Sequence, residues 1–386
     1  MSSNPIKPGW QKVKFGDVVR LSKERSSDPL ADGYERYIGL EHIDPEDLRV
    51  RRWGNVADGV TFTSVFKPGQ VLFGKRRAYQ RKVAVADFAG VCSGDIYVLE
   101  SKDPKKLLPE LLPFICQTEA FFQHAVGTSA GSLSPRTNWT SLADFEFALP
   151  PLEEQRRIVE LLLAVEETID NLVSARSSAQ LLFKAALLES FNSLPENNKK
   201  KIADCYEIQL GKMSSEKARF GSNQKTYIKN NNVLWGKFDF GELPQMSFDE
   251  REITKYELRK GDLLVCEGGE IGRAAIWQDE IPGMLYQKAL HRLRPRTSDD
   301  IPEFMFHYLR YCAERGILDG VATGTTIRHL PVEQLSQLAL PFPKRAVQEQ
   351  VASLLSKIES GNSMLDAKIC HSRSLKSAVL RQIAGG

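Results

Sequence analysis

The chain has 386 residues, 42% of them hydrophobic, and a formal net charge of +3, enough apolar material for two or three globular cores and too balanced a charge for a global polycation. Its six cysteines, Cys92, Cys116, Cys205, Cys266, Cys312 and Cys370, form no CxxC pair, so buried thiols in a reducing compartment are expected rather than disulfides or zinc. The N-terminus MSSNPIKPGW lacks a signal-peptide core, and no apolar run reaches the roughly 18 residues of a membrane span, so a cytoplasmic protein with no membrane partner is expected.

In chain order, GQVLF at 69–73, VAVADF at 83–88 and GDIYVLE at 94–100 predict short β-strands among Gly, Pro and Asp. The stretch 104–126, PKKLLPELLPFICQTEAFFQHAV, predicts a helix. LPPLEEQRRIVELLL at 149–163 then opens a long helical pattern. Ile158, Leu162, Val165, Ile169, Leu172, Arg176, Ala179, Phe183 and Ala186 recur at the 4,3 spacing of a coiled-coil seam. The same plan follows again. GDLLVCEG at 261–268 and AAIWQ at 274–278 predict strands, and 301–318 a helix. LPFPKRAVQEQVASLL at 340–355 opens a second seam through Val351, Leu355, Ile358, Asn362, Leu365, Ile369, Ser372, Lys376 and Val379. Each helix is expected to run about 55 to 60 Å. Their apolar stripes are expected to pack on each other, with Arg176 and Asn362 as candidate register-setting residues. The prolines at 150, 151 and 341 are expected to stop the sheet and fix the helix entry.

The two halves match along their length. FGDV at 15–18 faces IADC at 202–205, YIGLEHI at 37–43 faces YIKNNNV at 227–233, PGQVLF at 68–73 faces KGDLLV at 260–265, and RIVELLLAVEE at 157–167 faces QVASLLSKIES at 350–360. Four matches in order imply an internal duplication.

Catalytic signatures are absent from the sequence. There is no GxxxxGK[ST], GGEIG at 268–272 is no dinucleotide fingerprint, no (D/N)PP(Y/F) tetrapeptide occurs, and the six histidines have no HExxH spacing. No catalytic or metal-ligating residue is therefore assigned. Asp87, Glu100 and Lys102 loosely imitate the D…ExK pattern of metal-dependent nucleases, which keeps a nuclease as an alternative; a coiled-coil protein adaptor is another.

Basic and polar loops carry the stronger signal. FGKRRAYQRKVAV at 73–85 clusters Lys75, Arg76, Arg77, Arg81 and Lys82 around Tyr79, side chains that neutralise phosphates or bind guanine edges. GTSAGSLSPRTNW at 127–139 offers Ser132, Ser134, Arg136 and Asn138. In the second half ATGTTIRHLP at 322–331 offers Thr325, Thr326, Arg328 and His329, and Glu267 and Arg273 stand near the tip of the loop following 261–266. Lys75, Arg76 and Arg77 align with Glu267, Gly268 and Gly269. Shared framework with different tips suits two readers of different short sequences.

The whole chain resembles the specificity subunit of type I restriction-modification systems. The resemblance rests on two recognition blocks and on the P-L/P-x-x-EQ-x-x-I signature, present as LPPLEEQRRIVELL and, with two inserted residues and Val351 for isoleucine, as LPFPKRAVQEQVASLL. It implies an α+β fold in which two repeated mixed α/β target-recognition domains are joined by two long antiparallel helices forming a coiled coil, with pseudo-two-fold internal symmetry. The expected segments are 1–151 and 197–343 for recognition, 152–196 and 344–386 for the spacer helices. It further implies a non-catalytic subunit that reads a bipartite, asymmetric site in double-stranded DNA. Two methyltransferase subunits would dock on it to make an adenine-N6 methylase, and restriction/motor subunits would add ATP-dependent cleavage. S-adenosylmethionine, ATP and Mg are expected on those partners, with no cofactor in this chain.

Overall fold

The computed structural model describes residues 7–195, 197–324 and 328–384. The chain forms two compact units, Met1–Val173 with Ala367–Gly386, and Ser174–Asp366.

In the first unit, β1 (Val19–Leu21), β2 (Val71–Gly74), β3 (Val83–Val85) and β4 (Ile96–Ser101) form an antiparallel sheet of order β1-β4-β2-β3. Alternation along the strands sends successive side chains to opposite faces, and both faces are buried. Val71, Phe73, Val83 and Leu99 join a core with Phe15, Phe121 and Phe145. Leu72, Ala84, Ile96 and Val98 join another with Ile38, Phe66 and Cys92. Burial on both faces explains why these strands read as continuous apolar runs rather than as polar–apolar alternation. The second core backs onto a small sheet of Gly54–Asn55, Arg36–Ile38, Gly90–Cys92 and Ser64–Phe66, with one parallel pairing, Tyr37 to Val91. The stretch predicted as one helix at 104–126 is two, Leu112–Cys116 and α1 (Glu119–Gly127). Thr118 separates them by capping α1, its Oγ1 accepting from the Phe121 N–H at 3.3 Å.

The first long helix, α2 (Leu152–Asn192), begins in this unit. In the second unit β5 (Tyr206–Leu210), β6 (Leu263–Cys266), β7 (Ala274–Ile276) and β8 (Leu290–Pro295) repeat the sheet in the order β5-β8-β6-β7. Leu263, Val265 and Ala274 face one core, and Leu264, Cys266 and Ala275 the other. The helix predicted at 301–318 is α3 (Pro302–Glu314), with Pro302 in its first turn. Gly316, at φ +67°, takes the left-handed conformation that ends it, and a short helix Ile317–Val321 follows. The last helix is α4 (Arg345–Ala384).

Each unit contains a segment of both long helices. In the first, Val159 and Leu162 share the main core with Val379, Leu380 and Ile383, and Lys376 Nζ lies 2.5 Å from Glu166 Oε1. In the second, Phe183, Leu187 and Phe191 share theirs with Ala352 and Leu355, and Arg176 pairs with Asp366. Within each unit, later residues of α2 meet earlier residues of α4, so the segments run antiparallel. Val165, Ile169, Leu355 and Ile369 are buried; Ile158, Leu172, Val351, Ile358 and Leu365 are half-buried. The stripes pack into the sheet-bearing cores as well as on each other, which is why the compact units divide both helices.

The helix entries also repeat. Gln155 is fully buried. Its Oε1 accepts from the Leu108 N–H at 2.9 Å, and its Nε2 donates to the carbonyls of Lys106 and Pro150 at 2.8 Å each. Buried Gln348 donates Nε2 to the Pro343 carbonyl at 3.0 Å. Both amides reach five residues back, so Gln348, not Gln350, is the counterpart of Gln155. The two-residue insertion read from the EQ dipeptide is thereby removed. Pro341 is the last residue of the strand Ala339–Pro341, opposite Lys199, so the strand ends there as expected. A two-stranded ribbon tolerates proline at such a position, and the next N–H, of Phe342, donates to the Asn198 carbonyl at 2.8 Å.

Candidate nucleic-acid interface

In the first unit the two sequence-predicted loops meet. The Lys75 N–H donates to the Asp95 carbonyl at 3.0 Å, the Thr137 N–H to the Lys75 carbonyl at 3.0 Å, and the Arg77 N–H to the Pro135 carbonyl at 2.7 Å. Ala130 and Arg136 exchange N–H···O bonds at 3.0 and 2.9 Å, and Arg76 bridges Arg136. The second unit builds the same frame from other residues. The Glu267 N–H donates to the Ala289 carbonyl at 3.0 Å and the Leu330 N–H to the Glu267 carbonyl at 2.7 Å. Thr323 and His329 exchange bonds at 2.8 and 2.9 Å, and Gly268 bridges His329. The alignment of Lys75, Arg76 and Arg77 with Glu267, Gly268 and Gly269 is thus also an equivalence of backbone position.

Side chains on the frames differ. In the first unit Asp95 Oδ1 accepts from Arg136 Nε at 2.7 Å, and Asp95 Oδ2 from Arg76 Nη1 at 3.3 Å. Ser134 Oγ accepts from Arg76 Nη2 at 3.0 Å and from Arg77 Nη2 at 3.3 Å. The Arg136 guanidinium, joined by Arg76, holds the Asp95 carboxyl below its ordinary value. Lys75 Nζ sits 4.6 Å from the centre of the Tyr97 ring, and Tyr79 and Ser132 are exposed. Arg77 and Arg81 adopt φ of 54° and 56°, the left-handed region glycine prefers; Gly269 and Gly272 take positive φ in the corresponding loop.

Other members of the predicted set are placed elsewhere. Arg81 pairs with Glu119, on the wall of a cleft of about 780 Å³ lined also by Glu166, Asp170 and Lys376. Lys82 Nζ donates to the Leu40 carbonyl at 2.6 Å. Asn138 Oδ1 caps the helix Trp139–Ala143 by accepting from the Ser141 N–H at 2.8 Å. In the second unit Arg273 donates to the Asn230 carbonyl at 3.2 Å, and Arg328 pairs with Asp319. Thr325 and Thr326 lie outside the described residues. Sequence reasoning places Asp95 only near the start of a predicted strand. It lies apart in sequence from the basic loop, whose Arg76 it meets only in the fold.

The nuclease alternative gains no geometry. Glu100 accepts from Arg20 Nε at 2.7 Å and from Gln70 Nε2 at 2.8 Å, while Lys102 donates to the Gly16 carbonyl. Among the described residues no group of three or more His, Cys, Asp or Glu is arranged to hold a metal ion, and no helix is long and apolar enough to cross a membrane.

Comparison with known proteins agrees with the duplicated frame. The EcoDI type I restriction enzyme specificity subunit of Escherichia coli is 29% identical over 193 residues, which are 48% of this chain and 42% of that subunit. This match therefore spans less than half the length of that relative. The MjaVIII specificity subunit of Methanocaldococcus jannaschii is 23% identical over 393 residues, 91% of this chain and 86% of that one. The solved type I restriction-modification S subunit of M. genitalium shares the fold with a TM-score of 0.62 at 14% identity, covering 100% of this chain and 98% of that one. Residues 7–178 and 195–369 each match the type I restriction modification DNA specificity domain, and the chain belongs to that family.

Proposed function

We propose that residues 1–151 and 197–343 each read one half of a bipartite, asymmetric site in double-stranded DNA. Segments 152–196 and 344–386 set the unspecified spacer and dock two methyltransferase subunits. The observation that carries this reading is the repeated hydrogen-bonded frame with exchanged side chains: a shared scaffold with different tips is what two independent readers need. The chain itself performs no chemistry. S-adenosylmethionine, ATP and Mg belong to the methyltransferase and restriction/motor subunits of the assembled enzyme. Leu161, Leu163, Leu181, Leu182 and Leu354 are exposed on the two long helices, apolar surface of the kind a protein partner covers.

Salt-titrated binding of the chain assembled with its methyltransferase tests the loop assignment. Counterion release makes log affinity fall linearly with log salt. Neutralising Lys75, Arg76 and Arg77 together is expected to weaken binding and to flatten that slope by roughly one unit for each phosphate no longer neutralised. A slope and affinity indifferent to the triple change would remove these residues from the interface.

A further inference from the structure

Three charged side chains of the first unit are exchanged together in the second. Arg76, Asp95 and Arg136 occupy the backbone positions held there by Gly268, Ala289 and His329. The frame forms without the charges, so the charges do not hold it together. Their pairs are also partly solvated, Arg136 being about half exposed and Asp95 20% exposed in the side chain, and such pairs contribute little to stability. What they provide is orientation. Asp95 uses both carboxylate oxygens to align two guanidinium groups, accepting from Arg136 at Nε (2.7 Å) and Nη2 (3.4 Å) and from Arg76 at Nη1 (3.3 Å), while Ser134 Oγ holds Arg76 Nη2 at 3.0 Å. Each guanidinium carries five N–H donors and retains some beyond these bonds.

A guanidinium with its plane fixed and donors to spare matches the O6 and N7 acceptors of guanine in the major groove. Fixing it beforehand removes ordering entropy from the binding step. The adjacent carboxylate also reduces the local positive charge, which disfavours use of the pair as a plain phosphate clamp. We propose that Arg76 and Arg136 read guanine in the half-site of the first unit, that Asp95 is the positioning residue for both, and that the second unit reads a half-site without this pair. The assignment rests on the DNA-reading function proposed above.

The test uses the chain assembled with its methyltransferase and selection from a pool of randomised DNA duplexes, comparing wild type with Asp95→Ala and Arg136→His. These changes install the second unit's own residues at the same frame positions, so the fold is expected to persist. The expected wild-type result is a gapped motif with a G·C pair in one half. Asp95→Ala is expected to reduce the preference for that pair over A·T by roughly tenfold, to leave the other half unchanged, and to leave total binding undiminished because a negative charge has been removed. Arg136→His is expected to affect the same half. Unchanged preference, or an equal decline in both halves, would overturn the guanine assignment while leaving the DNA-reading function standing. Selection of no gapped motif would overturn that function and this assignment with it.

Discussion

At the scale of the residue, burial decides which groups titrate and which are free to act. His307 is fully buried in the second unit, its Nε2 3.1 Å from Ser356 Oγ, and burial, reinforced by neighbouring Arg310, pushes its pKa down to about 3. The folded chain therefore leaves this imidazole neutral while the unfolded chain protonates it below its ordinary value of 6.5. Stability is full above that value and falls as pH drops towards 3, by up to about 1.4 kcal/mol per pH unit for this group. Burial lowers the pKa of His291 too, adding a contribution of the same sign. Urea midpoints at pH 7.5 and 5.5 are expected to differ less in His307→Gln than in wild type; an identical difference would contradict the assignment. The basic loop shows what is legible at this scale. Lys75, Arg76 and Arg77 stand out by composition, and the structure brings Arg76 and Arg77 to Ser134 and Lys75 to Tyr97. Arg81 and Lys82 looked equivalent but turn to Glu119 and Leu40, because positive φ at Arg77 and Arg81 redirects the chain. Nothing in residue type announces that bend.

At the scale of the element, the two helix entries explain a motif whose form was clearer than its purpose. The prolines and the following helical period were readable. The role of Gln155 was not, because its partners Lys106 and Leu108 come from a distant part of the chain. Gln155→Ala would leave two carbonyls and one N–H without their buried partner. A loss of roughly 1 to 3 kcal/mol is expected, the cost of an unsatisfied buried polar group, since the Pro150 bond is buried and the other two are partly so. Gln348→Ala is expected to cost less, because among the described residues the Gln348 amide makes one bond of this kind, to Pro343. Denaturant midpoints of the two variants check the order, and a larger loss at Gln348 would refute it. The heptad stripes show a related limit. Their 4,3 period marked the inward face correctly at Leu162, Val165, Leu355 and Ile369, yet Val159, Leu187 and Ala352, off that period, are also buried because the sheet-bearing cores meet the helices from another side.

At the scale of the whole molecule, duplication was the most legible feature, carried by Asp17 and Asp204 as much as by longer matches. Each accepts from a backbone N–H three residues earlier, Lys14 at 3.3 Å and Lys201 at 3.1 Å, so the repeated sequence reflects a repeated local bond. The division into compact units was less legible, since each core draws on both long helices, whose segments are far apart in sequence. The proposed function requires that one chain carry two independent readers of DNA. Sequencing methylated adenines in DNA from cells that carry this chain with its methyltransferase tests it most directly. A two-part motif interrupted by unspecified bases, with different halves, is the predicted result; a continuous palindrome would contradict it.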